Sequence, residues 1–256
     1  MLGENMPHAG LLDGSWLAES VRLTLFPPQA VAPRPLWQSI VGTPPEEVTE
    51  RPAQNLRQES GPYKEGQLIV AQNGQRIDLV YAKKGDEIPF DDSPSGGLAN
   101  VGEARKALEG TLELFSKIKP LIMPIARIAI APTLVKKYKH HAECVAAVKL
   151  MLPGLPLNAE TDREFLLQIN RRTAPKSFPG HINNICKWQI SSFDLSGLPF
   201  PPQIGMSIQS LSFSFLRIEL DVNSLTTNEA LYIDNIDQSF AELKESTQSF
   251  MRGEII

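Results

Sequence analysis

The sequence has few of the features that disulfide-stabilised, secreted or membrane-spanning proteins need. Only two cysteines occur in 256 residues, Cys144 and Cys186, and they lie too far apart in sequence to suggest a disulfide framework. No Lys or Arg precedes Arg22, so the basic segment that opens a secretory signal is missing. The longest apolar tract, residues 121–135, contains two prolines and an arginine and is too short to cross a bilayer. We therefore expect a cytoplasmic protein without membrane contact.

Complete catalytic motifs are also missing. The glycine-containing stretch at residues 96–103 lacks the Lys-Ser/Thr pair with which a P-loop reaches phosphate and metal. There is no dinucleotide fingerprint, no Gly-x-Ser-x-Gly elbow and no zincin helix. A binding protein without a cofactor is therefore favoured over an enzyme. If a site without a recognisable motif exists, His140, His141 and Arg171 are the first residues to substitute.

Composition places the chain among globular proteins with a buried core. Apolar residues make up 42% and charged residues 21% of the sequence, both near the averages for folded domains. The 21 prolines favour interrupted strands and loops over long helical bundles.

A short pattern occurs twice and organises the fold prediction. Residues 21–27 and 126–132 share the order apolar, Arg, branched apolar, small, branched apolar, any residue, Pro. The alternation predicts a strand in each case, and a similar order of elements follows both. We interpret them as the opening strands of a duplicated unit, with Arg22 and Arg127 on the solvent or intersheet side.

The remaining elements of the first half follow from periodicity and turn residues. Asn73-Gly74 predicts a hairpin turn in which both residues need positive φ. Pro120 is expected to end the long amphipathic helix. The predicted elements are a helix at 36–41, a loop at 42–52, strands at 54–60, 67–72 and 75–82, a linker at 83–97, and a helix at 102–119.

The second half is predicted in the same way. The apolar alternation shifts phase between Phe215 and Leu216, which suggests a β-bulge. The halves also share local echoes: residues 56–58 resemble 166–168, and Gly42 resembles Gly154. The predicted elements are helices at 141–152 and 236–250 and strands at 164–170, 182–193 and 206–222.

These elements predict an α+β fold of two tandem β-α-β-β(-β)-α units. The units are expected to form one mainly antiparallel sheet with the helices packed on one face, because sheet edges are otherwise exposed. The predicted divisions are an irregular arm at 1–19, a first unit at 20–120 and a second unit at 121–256.

Positive charge is concentrated in one part of the sequence. Residues 121–187 contain ten Lys or Arg and four Asp or Glu, although the whole chain has a net charge of −4. If the strands before the two basic clusters are neighbours, the clusters form one basic rim for an acidic partner or a phosphate backbone. The alternative is a solvated surface that balances the acidic C-terminal helix. The clusters consist of Lys136, Lys137, Lys139, His140 and His141, and of Arg171, Arg172 and Lys176.

One set of residues resembles a metal site. His140 and Cys144 stand at i and i+4, which places them on the same side of a helix, as two zinc ligands require. His181 and Cys186 would complete the set if they packed nearby. The alternative is that the cysteines are small buried residues and the histidines are solvated.

Three segments carry a family resemblance: residues 165–170 (Phe-Leu-Leu-Gln-Ile-Asn), Lys187-Trp188, and residues 218–222 (Ile-Glu-Leu-Asp-Val). With them the chain resembles a sporadically distributed family of uncharacterised bacterial proteins. The resemblance implies a mobile-element or defence context and transfers no catalytic residues. We expect a non-catalytic binding or adaptor protein that acts through a protein–protein interface on the sheet face or an exposed edge. Nucleic-acid binding through the basic clusters is the first alternative, and an enzyme is the second.

Overall fold

The computed structural model describes residues 16–84, 96–194, 212–226 and 233–251. Within these ranges the chain forms a nine-stranded sheet and four α-helices, an α+β architecture. The elements in chain order are β1 (Leu17–Phe26), α1 (Trp37–Val41), β2 (Glu47–Arg51), a 3₁₀ turn (Pro52–Gln54), β3 (Leu56–Tyr63), β4 (Gly66–Asn73), β5 (Arg76–Ala82), α2 (Ala104–Ile122), β6 (Arg127–Tyr138), α3 (His141–Met151), β7 (Phe165–Thr173), β8 (Gly180–Asp194), β9 (Ser212–Thr226) and α4 (Ile233–Met251).

The sheet is antiparallel at every described strand pair. Its order is β2-β3-β4-β5-β1-β6-β9-β8-β7, so the two Arg-containing strands β1 and β6 lie side by side at the centre. The elements that follow β1 fill one half of the sheet, and those that follow β6 fill the other. The predicted antiparallel sheet is confirmed.

One face of the sheet packs against the helices. Leu23, Leu79, Ile130 and Val222 lie in a row across four neighbouring strands and belong to the same buried cluster as side chains from all four helices. The predicted packing of the helices on one face is therefore confirmed. We call the opposite side of the sheet the distal face; Leu98, Val135 and Phe213 form a smaller buried cluster there.

The loop predicted at residues 42–52 is wrong in part, because Glu47–Arg51 pairs with β3 as strand β2. All five residues of this strand are exposed. An edge strand without a buried side lacks the apolar alternation by which strands are detected in a sequence.

The hairpin between β4 and β5 exists, but its turn is one residue later than predicted. Asn73 pairs with Arg76, so the two loop residues are Gly74 and Gln75. Gly74 has a φ of 58°. Glycine at the first loop position is typical of a type II′ turn, in which only that residue needs positive φ.

Pro120 does not end α2, which continues to Ile122. Proline removes only its own N–H donor and disturbs the preceding turn, so a helix with a proline near its C-terminus can still complete its last residues. Ile118 and Ile122 are both buried, and their packing favours this extension.

The bulge predicted between Phe215 and Leu216 is wrong. β9 pairs with β8 in one uninterrupted register along its length. The apparent change of phase arises because Phe213 and Phe215 are apolar residues on the distal face, whereas Leu216 and Ile218 face the helices. The predicted strand start at 206, most of the linker and most of the N-terminal arm lie outside the described residues.

None of the described helices combines the length and the apolar character that crossing a bilayer requires.

Candidate protein-binding surface

The two basic clusters lie near opposite ends of the sheet. Lys136 and Lys137 are near the end of β6. Arg172 is aligned across β8 and β9 with Ala129, near the start of β6. At about 3.3 Å per residue, Ala129 and Lys136 are roughly 23 Å apart along the strand. The structure thus presents two separate basic patches and does not bring them together into one rim.

The first patch is held against aromatic rings of the same chain. The Lys136 ammonium lies 6.0 Å from the centre of the Trp16 ring, and the Lys137 ammonium lies 4.7 Å from that of Phe213. At the start of α3, the backbone N–H of Lys139 donates to Glu143 at 3.1 Å. The exposed His140 is the N-cap residue of α3, and the imidazole of its neighbour His141 is 2.7 Å from the carbonyl oxygen of Asp162. These contacts hold the first basic patch against neighbouring parts of the same chain.

The Glu242 carboxylate links the second patch to α4. Glu242 accepts hydrogen bonds from the backbone N–H groups of Lys176 at 2.7 Å and Ser177 at 3.0 Å, and from the Ser177 hydroxyl at 2.6 Å. Glu242 also lines a cleft of about 570 Å³ between α4 and the β7–β8 loop. Because its oxygens already have partners, this carboxylate stabilises the loop.

The four candidate metal ligands do not converge. His181 is exposed on the distal face of β8, whereas Cys186 is fully buried on the helix face of the same strand. Among the described residues, no three His, Cys, Asp or Glu side chains are grouped as a metal site requires.

Both cysteines are shielded from solvent and from reaction. Burial, with a smaller effect of Glu143, raises the pKa of the Cys144 thiol to about 12. Burial also raises the pKa of the Cys186 thiol. Since the thiolate is the nucleophile and the metal ligand, neither residue has the environment of a reactive cysteine.

The matched arginines Arg22 and Arg127 lie on the distal face, which confirms their predicted orientation away from the helix-covered core. Arg22 Nη2 is 3.7 Å from Asp221 Oδ2. Arg127 Nη2 donates to Asn223 Oδ1 at 2.8 Å, and Asn223 Nδ2 donates to Asp221 Oδ1 at 2.8 Å. A polar network therefore crosses the centre of the sheet.

A second charged network lies beside the first on the distal face. Arg217 donates to Glu19 at 2.6 Å and also contacts Glu219, which accepts from Lys187 at 3.2 Å. Such cross-strand pairs stabilise neighbouring strands. The charges of this network are balanced within the chain, so its chemistry does not by itself require a ligand.

A smaller cleft, of about 250 Å³, lies between the N-terminal half of α2 and strands β3 to β5. Tyr63 and Tyr81 meet there edge to face at 5.7 Å, and burial raises the pKa of both phenols. Lys64 donates to Glu113 at 2.9 Å, which raises the pKa of Lys64 and lowers that of Glu113. Because the amine and the carboxylate satisfy each other, this pair supplies neither a free base nor a free acid to the cleft.

The two edges of the sheet differ strongly. β2 is five residues long, is rich in charge and is followed directly by Pro52, features that discourage pairing with another strand. β7 is nine residues long and pairs, in the described part of the chain, with β8 alone. Half of its backbone N–H and C=O groups therefore point outward along the edge of the sheet.

β7 also presents apolar side chains beside this edge. Phe165, Leu167 and Ile169 are partly buried against the core, and Leu166 on the distal face is 62% exposed. Sequence reasoning identified the strand but did not identify Leu166 as a surface residue. The sequence signal is that apolar residues occur on both faces of this strand. It indicates an exposed apolar side chain only once the strand is known to lie at the edge of the sheet.

Comparison with known proteins gives no relative from which a role could be transferred. No family model, curated protein or solved structure matches the chain. The candidate surface is therefore chosen from the structure alone. It consists of the outer edge of β7 and the exposed side chain of Leu166.

Proposed function

We propose that this protein is a non-catalytic binding or adaptor protein that holds a protein partner at the β7 edge. The partner would add an extended segment to the sheet, pairing its backbone with the outward groups of β7. The observation that carries the proposal is the exposed Leu166 on an edge strand of nine residues whose first five residues include apolar side chains on both faces of the sheet. The resemblance noted above supports a bacterial mobile-element or defence context for this binding.

We also infer that the scaffold consists of two tandem β-α-β-β(-β)-α units. The order β1-β5-β4-β3 in one half corresponds to β6-β9-β8-β7 in the other, with β2 as an additional strand. Gly42 and Gly154, which follow α1 and α3, have φ values of 91° and 94°. In this correspondence, β7 is equivalent to β3. β3 is covered by β2, whereas β7 has no equivalent cover among the described strands.

The edge proposal is tested by panning a displayed library of random linear peptides against the full chain. We expect enrichment of peptides with alternating apolar residues, because alternate side chains of an added strand lie beside Leu166 or beside Phe165, Leu167 and Ile169. Leu166→Lys should abolish their binding, measured by fluorescence anisotropy. Val48→Lys is the matched control, since Val48 is 49% exposed on the opposite edge strand.

Two results would contradict the edge proposal. One is a library that yields no binding peptide although the chain sediments as a monomer. The other is a set of peptides whose affinity is the same for Leu166→Lys, Val48→Lys and the parent chain, which would place binding elsewhere on the molecule.

A further inference from the structure

Two opposite charges flank β7. Glu164 directly precedes the strand, and Arg172 lies near its end. Both side chains are exposed, and neither forms an ion pair within the described part of the chain. At about 3.3 Å per residue they are roughly 26 Å apart on one strand, so they cannot neutralise each other within one molecule.

A second copy of the same strand brings them together. If two β7 strands run antiparallel about a twofold axis through Gln168, Glu164 of each copy lies opposite Arg172 of the other. The same register places Leu166 opposite Asn170, and Gln168 opposite its own copy. An axis perpendicular to the sheet also keeps the helices of both copies on the same side.

Neighbouring registers are less complementary. An axis through Leu167 places Arg172 opposite Asp162, but it also places Arg163 opposite Arg171, a like-charge pair that offsets the attraction. An axis through Ile169 leaves Glu164 opposite Ala174 and places Arg172 against Leu166. Opposite charges stabilise and like charges destabilise directly opposed cross-strand positions, so the register centred on Gln168 is preferred.

We propose that a second copy of this chain binds at β7, forming a symmetric antiparallel β7–β7 pair centred on Gln168 with two Glu164–Arg172 contacts. The inference rests on the proposed use of the β7 edge and names the partner. The paired edges extend the two sheets into one, and the exposed side chain of Leu166 gains a neighbour from the other copy. The interface is isologous, so it closes on itself and does not propagate into a filament.

Cysteine scanning tests the register in the full chain. Directly opposed residues in antiparallel strands have Cα atoms about 4.5–5.5 Å apart, which a disulfide can bridge. Gln168→Cys should therefore give a disulfide-linked dimer under mild oxidation. Asn170→Cys and Thr49→Cys are the controls, and both positions are exposed, as Gln168 is. Asn170 lies on the same strand but not opposite its own copy, and Thr49 lies on β2. Both variants should remain monomeric on a non-reducing gel.

Charge exchange tests the chemistry independently. Arg172→Glu should weaken the dimer by roughly tenfold or more in sedimentation analysis, because two attractive pairs become repulsive. Glu164→Arg should have the same effect, and the double exchange Glu164→Arg/Arg172→Glu should restore the dimer. All five side chains substituted in the cysteine and charge experiments are exposed, and unchanged melting curves would show that the variants are folded.

The outcomes separate this inference from the proposed function. A monomeric Gln168→Cys, equal cross-linking of Asn170→Cys, or failure of the double exchange to restore dimerisation overturns self-pairing. If peptides still bind and Leu166→Lys abolishes that binding, the edge remains a docking site for another protein. Absence of both dimer and peptide binding overturns both proposals. Competition between peptides and the dimer supports both.

Discussion

Thr24 of β1 lies directly opposite Ala129 of β6 at the centre of the sheet. The two residues occupy the same place in the repeated strand pattern, as do Arg22 and Arg127. The surrounding pairs are Arg22 with Ala131 and Phe26 with Arg127, so the pairing is symmetric about Thr24 and Ala129. This register supports the inferred duplication, because two equivalent opening strands pair about an approximate twofold axis.

The Thr24 side chain gives the first prediction. It is buried and donates to Asp78 at 2.6 Å. Thr24→Val keeps the shape but removes the donor, so we expect a loss of about 1–2 kcal/mol in the free energy of unfolding. Urea denaturation measures this loss as a lower midpoint. Thr43→Val, at an exposed position, should change the midpoint little; equal effects of the two substitutions would contradict the role of the hydrogen bond.

Glu59 gives the second prediction. This buried carboxylate accepts from the backbone N–H groups of Leu36 at 2.8 Å and Trp37 at 3.0 Å, and it pairs with Arg57. Glu59→Ala leaves these donors unsatisfied, so we expect a loss of about 2–4 kcal/mol in stability by urea denaturation. Glu50→Ala is the control, because it removes the more exposed carboxylate on the same Arg57 and should cost under about 1 kcal/mol.

Glu242 gives the third prediction, which concerns local dynamics. Glu242→Ala removes the acceptor of two backbone N–H groups in the β7–β8 loop. We expect faster amide hydrogen exchange at Lys176 and Ser177, with the central strands unchanged, because the loop would open without global unfolding. Gln238→Ala on the same helix should leave these amides as protected as in the parent chain. Identical exchange in both variants would show that Glu242 does not hold the loop.

Cys144 gives the fourth prediction, on pH dependence. Its pKa rises from the ordinary value of 9.0 to about 12 in the folded protein. Above pH 9 the unfolded state loses the thiol proton before the folded state does, so stability present at neutral pH falls as pH rises toward 12. Cys144→Ala should show a shallower decrease in this range. A slope as steep as that of the parent chain would assign the pH dependence to other groups.

The same burial predicts slow thiol labelling. At pH 8 the folded chain should resist alkylation at both Cys144 and Cys186, because the thiolate is scarce and access is blocked. Denaturant should make both thiols react. Rapid labelling of the folded chain, followed by mass spectrometry, would contradict the buried positions. Slow labelling also keeps these residues from interfering with Gln168→Cys cross-linking.

The pattern of apolar residues was sufficient to predict the type of an element where the apolar residues lie mainly on one side of it. The alternation in β1 and the helical spacing in α2 predicted their element types, because each buries one side against the core. Where both sides or neither side are apolar, the pattern misleads. β2 was missed because no side of it is buried, and β9 suggested a bulge because Phe213 and Phe215 pack on the distal face.

Register was beyond local reasoning as well. Residues 56–58 resemble residues 166–168 in sequence, but the two segments do not occupy equivalent positions in the sheet. Gln58 is aligned through β4 and β5 with Thr24 of β1. The residue aligned through β8 and β9 with Ala129, the equivalent of Thr24 in β6, is Arg172 and not Gln168. A similarity of three residues contains no information on strand pairing, which depends on contacts between distant parts of the chain.

The amino-acid sequence by itself determined the α+β class, the antiparallel sheet with its helices on one face and the outward position of Arg22 and Arg127, since these follow from periodicity and turn residues. Only the tertiary structure decided which strands lie at the edges, that the basic clusters sit near opposite ends, and that His181 and Cys186 face opposite sides. These properties depend on strand order and register, and both are set by long-range pairing and core packing. The candidate surface at Leu166 also depends on the tertiary structure, because a strand can accept an added strand only where the sheet places no neighbouring strand beside it.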